Sequence, residues 1–177
     1  MSTVTTTQKT DPGAVFFALV AVSYLLYVGI SASMKVITDK LQGLQADLQE
    51  GVKIQGYMQN TFTTKTGSGN AEMVELGGPN QDNGADARVK EILDYLNSFG
   101  VNPGITPPAD RKIAMSKANE ISNSLNSHVD LTRQSAQTES TKAQSVQTSA
   151  NATLDLATSM LKTLTNALLS IAQNTPR

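Results

Sequence analysis

The chain has 177 residues, a net charge of -1 and no cysteine. It lacks the basic surplus that holds phosphates, so nucleic acid is not a partner that its charge supports. The missing cysteines exclude disulfides, thiolate catalysis and cysteine–zinc sites. Trp is absent and aromatics make up only 5% of the residues. A compact spherical core draws much of its buried area from aromatics, so long helices with narrow apolar stripes and broad polar faces suit this composition better.

Residues 1–11, MSTVTTTQKTD, are polar and rich in Ser and Thr, as in a terminal tail or an uncleaved export signal. Residues 12–34, PGAVFFALVAVSYLLYVGISASM, carry no charge. Such a run has three readings: a membrane-spanning helix, a secretory signal peptide ending at Ser31-Ala32-Ser33, or a helix hidden between protein subunits. The signal-peptide reading is weak, because the single leader lysine is offset by Asp11 and the run is longer than a usual h-region of about 7–15 residues. The membrane reading lacks the Lys/Arg cluster that fixes orientation, with Lys9 on one side and Lys35 and Lys40 on the other.

The apolar pattern continues past Met34 through Ile37, Leu41, Leu44 and Leu48, at alternating steps of three and four, and reaches Met58 and Phe62 with lapses at Gly51 and Gln55. That is a heptad seam, which turns one stripe toward a partner helix. Pro12 suits a first helical turn. One helix over 12–62 is therefore predicted, about 75 Å long at 1.5 Å per residue. Gly43, Gly51 and Gly56 are the places where it would bend.

Residues 63–85 are rich in Gly, Asn and Thr and read as a surface loop. A short amphipathic helix at 86–99 aligns Val89, Ile92, Leu93, Leu96 and Phe99, and Gly100 ends it. Thr106-Pro107 then supplies a cap and a first-turn proline for a last helix over 107–173. Its stripe runs Ala114, Ala118, Ile121, Leu125, Val129, Thr132 and Ala136, then Ala143, Ala150, Leu154, Ala157, Leu161, Leu164, Leu168 and Ile171. The middle, 132–153, is weak and needs support from packing. The predicted fold is all-α: a long antiparallel, coiled-coil-like hairpin with a short helix and loops between its arms.

Titratable residues do not converge as an active site requires. The only histidine, His128, lies beside Asp130 and Arg133 on the long helix, where a lone histidine is usually a surface or interface residue. Gly67-Ser68-Gly69 follows no strand, so a flexible loop is the better reading than a nucleotide fingerprint. Asn80-Gln81-Asp82-Asn83-Gly84 lacks the acidic spacing and closing Glu of a calcium loop. The sequon Asn151-Ala152-Thr153 falls inside a helix. The reading is of a non-enzyme with no metal and no cofactor.

The order of these features resembles the EspA/SseB-type translocation filament subunits of type III secretion systems. The likeness lies in the Ser/Thr-rich leader MSTVTTTQKT before the apolar GAVFFALVAVSYLLYVGI, in RVKEILDYLNSFGV after a Gly/Asn-rich loop, in MSKANEISNSLNSHVDLTRQSAQTESTKAQ, and in the apolar end LDLATSMLKTLTNALLSIA. It covers most of the chain as pattern and order, and the apolar segment is longer and more hydrophobic than that family's. The resemblance implies two long helices in a coiled-coil hairpin and a hollow helical homopolymer on the bacterial surface that extends the secretion needle. It also implies translocon proteins as neighbours, a cytoplasmic chaperone before export, and unfolded effector proteins in transit through the lumen.

The residues divide accordingly. Val15, Phe16, Phe17, Leu19, Val22, Leu25, Leu26 and Ile30 lie on a helix apolar on every face, which one intramolecular partner does not cover. With Leu154, Leu161, Leu164, Leu168 and Ile171 they are the candidate subunit interface. Ile37, Leu41, Leu44, Leu48, Ile121 and Leu125 form the candidate intramolecular seam. Gln134, Gln137, Gln144 and Gln147 in the polar middle of the last helix are candidates for a wetted lumen wall. The alternatives are a single-pass membrane protein with a helical extramembrane hairpin, or a needle-tip or translocator component of the same system.

Overall fold

The computed structural model describes residues 12–68, 72–79, 84–106 and 111–174. The leader 1–11, the Asn80–Asn83 part of the calcium-like loop and the first-turn Pro107 lie outside them. The elements are α1 (Pro12–Phe62), β1 (Met73–Glu75), α2 (Ala85–Ser98), β2 (Lys112–Ala114) and α3 (Met115–Asn174). The protein is mostly helical, with the two long helices packed against each other as a hairpin. It divides into two compact units, one of Lys40–Glu139 and one of Met1–Asp39 with Ser140–Arg177.

The Lys40–Glu139 unit has a true core. Ile54 and Met58 of α1 meet Ile121, Leu125 and Val129 of α3, and α2 closes the cluster with Ile92 and Leu96. The spacing of Val89, Ile92 and Leu96 places them on one face of α2, and all three are buried. Its end is a Schellman turn. Gly100, at φ 83°, donates its N–H to Asn97 O, and the Val101 N–H bonds to Leu96 O, both at 3.0 Å.

Helix α3 begins at Met115, not at 107. Lys112–Ala114 is a strand, paired antiparallel with Met73–Glu75 so that the buried Val74 and Ile113 are partners. The cause is local. Arg111 is buried at φ 56°, which no right-handed helix allows. Its backbone O accepts from Leu76 N–H at 3.0 Å, and its Nη1 donates to Leu76 O at 3.2 Å. The turn beyond β1 needs glycine at 77, where φ is +80° and a Cβ would stand 2.8 Å from Ala85 O.

Neither Gly43, Gly51 nor Gly56 breaks α1, which is continuous through Phe62. Gly51 is instead a socket: a Cβ there would lie 2.6 Å from Val129 Cγ2 and 2.8 Å from Tyr95 Oη. The lapse in the heptad is therefore where Tyr95 of α2 and Val129 of α3 press against the α1 backbone. The weak middle of α3 is held by polar groups. Glu139, almost fully buried, takes an ion pair from Lys40 Nζ at 2.6 Å.

The second unit is a thinner helix pair. Leu19, Ser23, Ile30, Met34 and Ile37 of α1 are half-buried, as are Ala143, Val146, Ala150, Thr153, Ala157, Leu161 and Leu164 of α3. None of its described residues is fully buried. In this half of α3 Thr148, Thr153, Thr163 and Thr165 bond back to carbonyls four residues earlier, as in Thr148 to Gln144 O at 2.9 Å and Thr163 to Ser159 O at 3.0 Å, which satisfies these hydroxyls within the helix.

Gly51→Ala is expected to lower the chemical denaturation midpoint followed by far-UV circular dichroism. Overpacking costs about 1–3 kcal/mol, while the better helix propensity of Ala returns at most about 1 kcal/mol. Gly43→Ala meets nothing within 4 Å and should raise the midpoint by about 0.5–1 kcal/mol. Equal shifts for the two variants would rule out the socket.

Candidate functional site

Two features stand out, one in each unit. The first is the uncovered apolar surface of the helix pair. Among the exposed large hydrophobic side chains, all but Val52 and Leu131 belong to this unit. Phe17 is 73% exposed and Leu25 68%. The most apolar 18-residue window of α1 has 0% of its residues buried. Charge is almost absent beside it, since residues 140–174 bring only Lys142, Asp155 and Lys162.

The structure sorts the candidate interface residues. Val15, Phe16, Phe17, Val22, Leu25 and Leu26 are exposed on α1, and Leu154, Leu168 and Ile171 on α3. Leu19, Ile30, Leu161 and Leu164 are half-buried in the intramolecular seam of this unit. The seam on α3 runs through Ala150, Thr153 and Ala157, one residue before Leu154, so the larger leucine faces outward. Ile37 lies in the same seam. Leu41, Leu44 and Leu48 are half-buried, and Ile121 and Leu125 fully buried, in the Lys40–Glu139 unit. Gln134, Gln137, Gln144 and Gln147 are all exposed.

Exposed Val20, Tyr24, Tyr27, Val28, Leu156 and Met160 extend the apolar surface beyond those candidates. The signal for one of them was in the sequence. Tyr24 follows Phe17 by seven residues, two helical turns, and so shares its face.

Apolar grooves run along the line where α1 and α3 meet within this unit. One of about 430 Å³ is lined by Leu19, Val22 and Leu26 with Leu156, Ala157 and Met160. Another of about 310 Å³ lies beside Tyr27, Ile30, Met34 and Leu154. Small-molecule pockets place a few polar groups to orient a ligand. In the larger groove only Ser23 and Thr153 supply any.

The second feature is a polar clasp in the Lys40–Glu139 unit, centred on Asp47 of α1. Asp47 Oδ1 accepts from Tyr95 Oη at 2.8 Å, and Oδ2 accepts from Thr132 Oγ1 at 3.1 Å and faces His128 Nε2 at 3.1 Å. Tyr95 Oη also reaches Asp47 O at 3.1 Å. The His128 ring stacks on Phe99 at 3.9 Å with 5° between the planes, and Tyr95 packs its edge against both rings. One carboxylate thus binds all three helices. The carboxylate is central and the imidazole peripheral, the reverse of a catalytic triad, in which the imidazole stands between acid and nucleophile. Among the described residues no three His, Cys, Asp or Glu side chains gather to hold a metal.

In the sequence His128 stands beside Asp130 and Arg133. In the fold Arg133 bonds Asp130 at 2.9 Å, while His128 turns to Asp47, 81 residues away. A nearby pair of opposite charge, Lys53 and Glu91, lies 2.5 Å apart, which raises the lysine and lowers the carboxyl. Both stand in solvent, where such pairs contribute little.

No family model, curated protein or solved structure matches the chain.

Burial, followed by the hydrogen bond to Asp47, pushes the Tyr95 phenol well above the usual tyrosine range. The folded state therefore holds that proton more tightly than the unfolded chain, whose tyrosines titrate near about 10. The contribution is complete below that pH and is lost as pH rises through the folded value. Tyr95→Phe should cost about 1.5 kcal/mol at pH 7, the low end for a bond to a charged acceptor. It should also flatten the alkaline fall in the denaturation midpoint. An unchanged alkaline limb in Tyr95→Phe would show that the clasp does not shield the phenol.

Proposed function

We propose that this chain is a structural subunit that polymerises into a hollow extracellular filament, a conduit for type III secreted effector proteins of the EspA/SseB kind. The observation that carries the reading is the uncharged stretch of α1, which its intramolecular partner leaves uncovered. In water this is a liability for a monomer, because exposed apolar patches of this extent favour association. Full burial of a side chain such as Phe17 or Leu25 contributes about 1.5–3 kcal/mol, before the ordering costs of association. An interface that joins unlike faces of neighbouring copies propagates head to tail and makes a filament, not a closed ring.

The polar groups suit the same reading. Gln134, Gln137, Gln144 and Gln147 are exposed and neutral. As a lumen wall they offer an unfolded chain few apolar or charged traps. The partners in this scheme are further copies, needle and translocon proteins, a chaperone before export and effectors in transit, and the assembled product stands on the bacterial surface.

A second reading has its own support, since α1 is long and apolar enough to cross a bilayer by length and composition. Against it stands the partner of that stretch. The packed half of α3 carries Asp155, Lys162 and a run of Thr, Ser and Asn residues, which are costly in lipid.

Detergent-free light scattering and negative-stain microscopy decide between the two. Concentration-dependent filaments support the first reading, and a product soluble only in micelles supports the second. Phe17→Asp should abolish the filaments while leaving the far-UV spectrum unchanged, because residue 17 is already in solvent in the isolated subunit. Leucine at Gln137 and Gln144 should slow secretion with assembly intact, and normal secretion by that variant removes the lumen assignment.

A further inference from the structure

Sulfur enters this chain as methionine alone: it has 6, and no cysteine. A peroxide that oxidises sulfur therefore meets thioethers and no competing thiol. The fold shelters the described methionines unequally. Met58 is fully buried in the core of the Lys40–Glu139 unit. Met34, Met73 and Met115 are half-buried. Met160 of α3 is exposed, at 44% against 1% for Met58.

Met160 also stands where a change of polarity has most effect. It lines the larger apolar groove, one helical turn beyond Leu156 and Ala157. The wall holds two hydroxyls, on Ser23 and Thr153. Thr153 Oγ1 donates to Ser149 O at 2.8 Å, so its hydrogen is committed within α3. Oxidation of a thioether adds an oxygen that accepts hydrogen bonds, and of the two wall hydroxyls Ser23 is left to donate to it. While the groove is open, water serves that oxygen. Under an apolar cover the oxygen loses its water, which is unfavourable.

Resting on the self-assembly reading above, we propose that Met160 is a peroxide-sensitive modification site whose sulfoxide form switches off self-association. The sulfur lone pair attacks one peroxide oxygen, the O–O bond breaks and an S–O bond forms. Sulfur gives up two electrons and the peroxide is reduced, its second oxygen taking both protons and leaving as water. The product is a polar, chiral side chain in a wall that is otherwise nearly apolar, and a methionine sulfoxide reductase reverses it. The switch acts on the free subunit, where residue 160 faces solvent. It needs no change of fold, because the seam on α3 runs through Ala157, Leu161 and Leu164 instead.

Limited hydrogen peroxide is applied to the full-length protein below the concentration at which it begins to scatter light, and a sample is digested with trypsin. A Lys or Arg separates every two successive methionines, so each falls on its own peptide for mass spectrometry. Met160 should be oxidised first among the described methionines, well ahead of Met58. The treated protein, once concentrated, should begin to scatter only at a higher concentration than before, and methionine sulfoxide reductase should restore the original onset. Peroxide should not move the onset that Met160→Leu shows before treatment. Met160→Gln, polar and of similar length, should have a raised onset without oxidant. Sulfoxide at Met34, Met73 or Met115 before Met160 overturns the site. An onset unmoved after complete oxidation of Met160, or one that peroxide still raises in Met160→Leu, overturns the switch, and the self-assembly reading stands on the filaments that form. A chain that stays monodisperse in water at every concentration overturns both.

Discussion

A helix without charge has to be covered, and nearly everything else in this molecule follows from where the cover comes from. In the Lys40–Glu139 unit the chain supplies it. α2 and the β1–β2 ladder fill the space that two helices cannot, and the residues at the centre reach zero exposure. In the other unit the same two helices meet with no further described element packed on them, and no described residue reaches full burial. Two helices in contact shield only the facing stripe of each. A helix that is apolar all round then keeps most of its surface in water, and the free energy left over is available only to another molecule.

Charge is segregated to match. Most acidic and basic residues fall within Lys40–Glu139, and residues 12–34 have none. Residues 12–34, with no charge, and 140–174, with only Lys142, Asp155 and Lys162, have little repulsion to keep copies apart. Where polar groups do enter the seam, they are paired: Lys40 with Glu139, and Asp47 with donors from α2 and α3. Such pairs add modest stability, but a shift of register by one residue would strand a buried carboxylate. They penalise a misaligned hairpin where the apolar stripe of α3 is weakest.

Much of this was legible in the sequence, for a physical reason. Periodicity over dozens of residues is a strong signal, so the limits of α1, the position of α2 and the seam from Ile37 to Leu48 could be read directly. Gly100 was readable as a helix stop because only a residue tolerant of positive φ completes that turn. Short features set by tertiary contacts were not. Three-residue strands carry no period, and a left-handed arginine at 111 has no sequence signature, so pattern alone places the start of the last helix too early. Gly51 reads as a lapse because glycine in a helix is costly in isolation. Its advantage appears only once Val129 and Tyr95 press against it.

The clasp shows the same limit from the other side. Along α3 His128 stands beside Asp130 and Arg133 and reads as a surface or interface residue, and the fold pairs it with a residue 81 positions away. Periodicity says which face of a helix is inward but not which polar groups meet there. The apolar surface is the reverse case. Its existence needed only the sequence, but its division into a filled seam, an apolar back and open grooves required knowing which stripe α3 occupies. Once that stripe is fixed by Ala150, Thr153 and Ala157, Leu154 and Phe17 point outward by helical geometry alone. Between Ala143 and Ala157 the α3 side of the seam takes small residues and leaves Leu154 and Leu156 exposed, while Leu19, Ile30 and Met34 fill it from α1. A sequence that places this much bulk on the outer face of a helix pair leaves an apolar surface that its own fold does not cover.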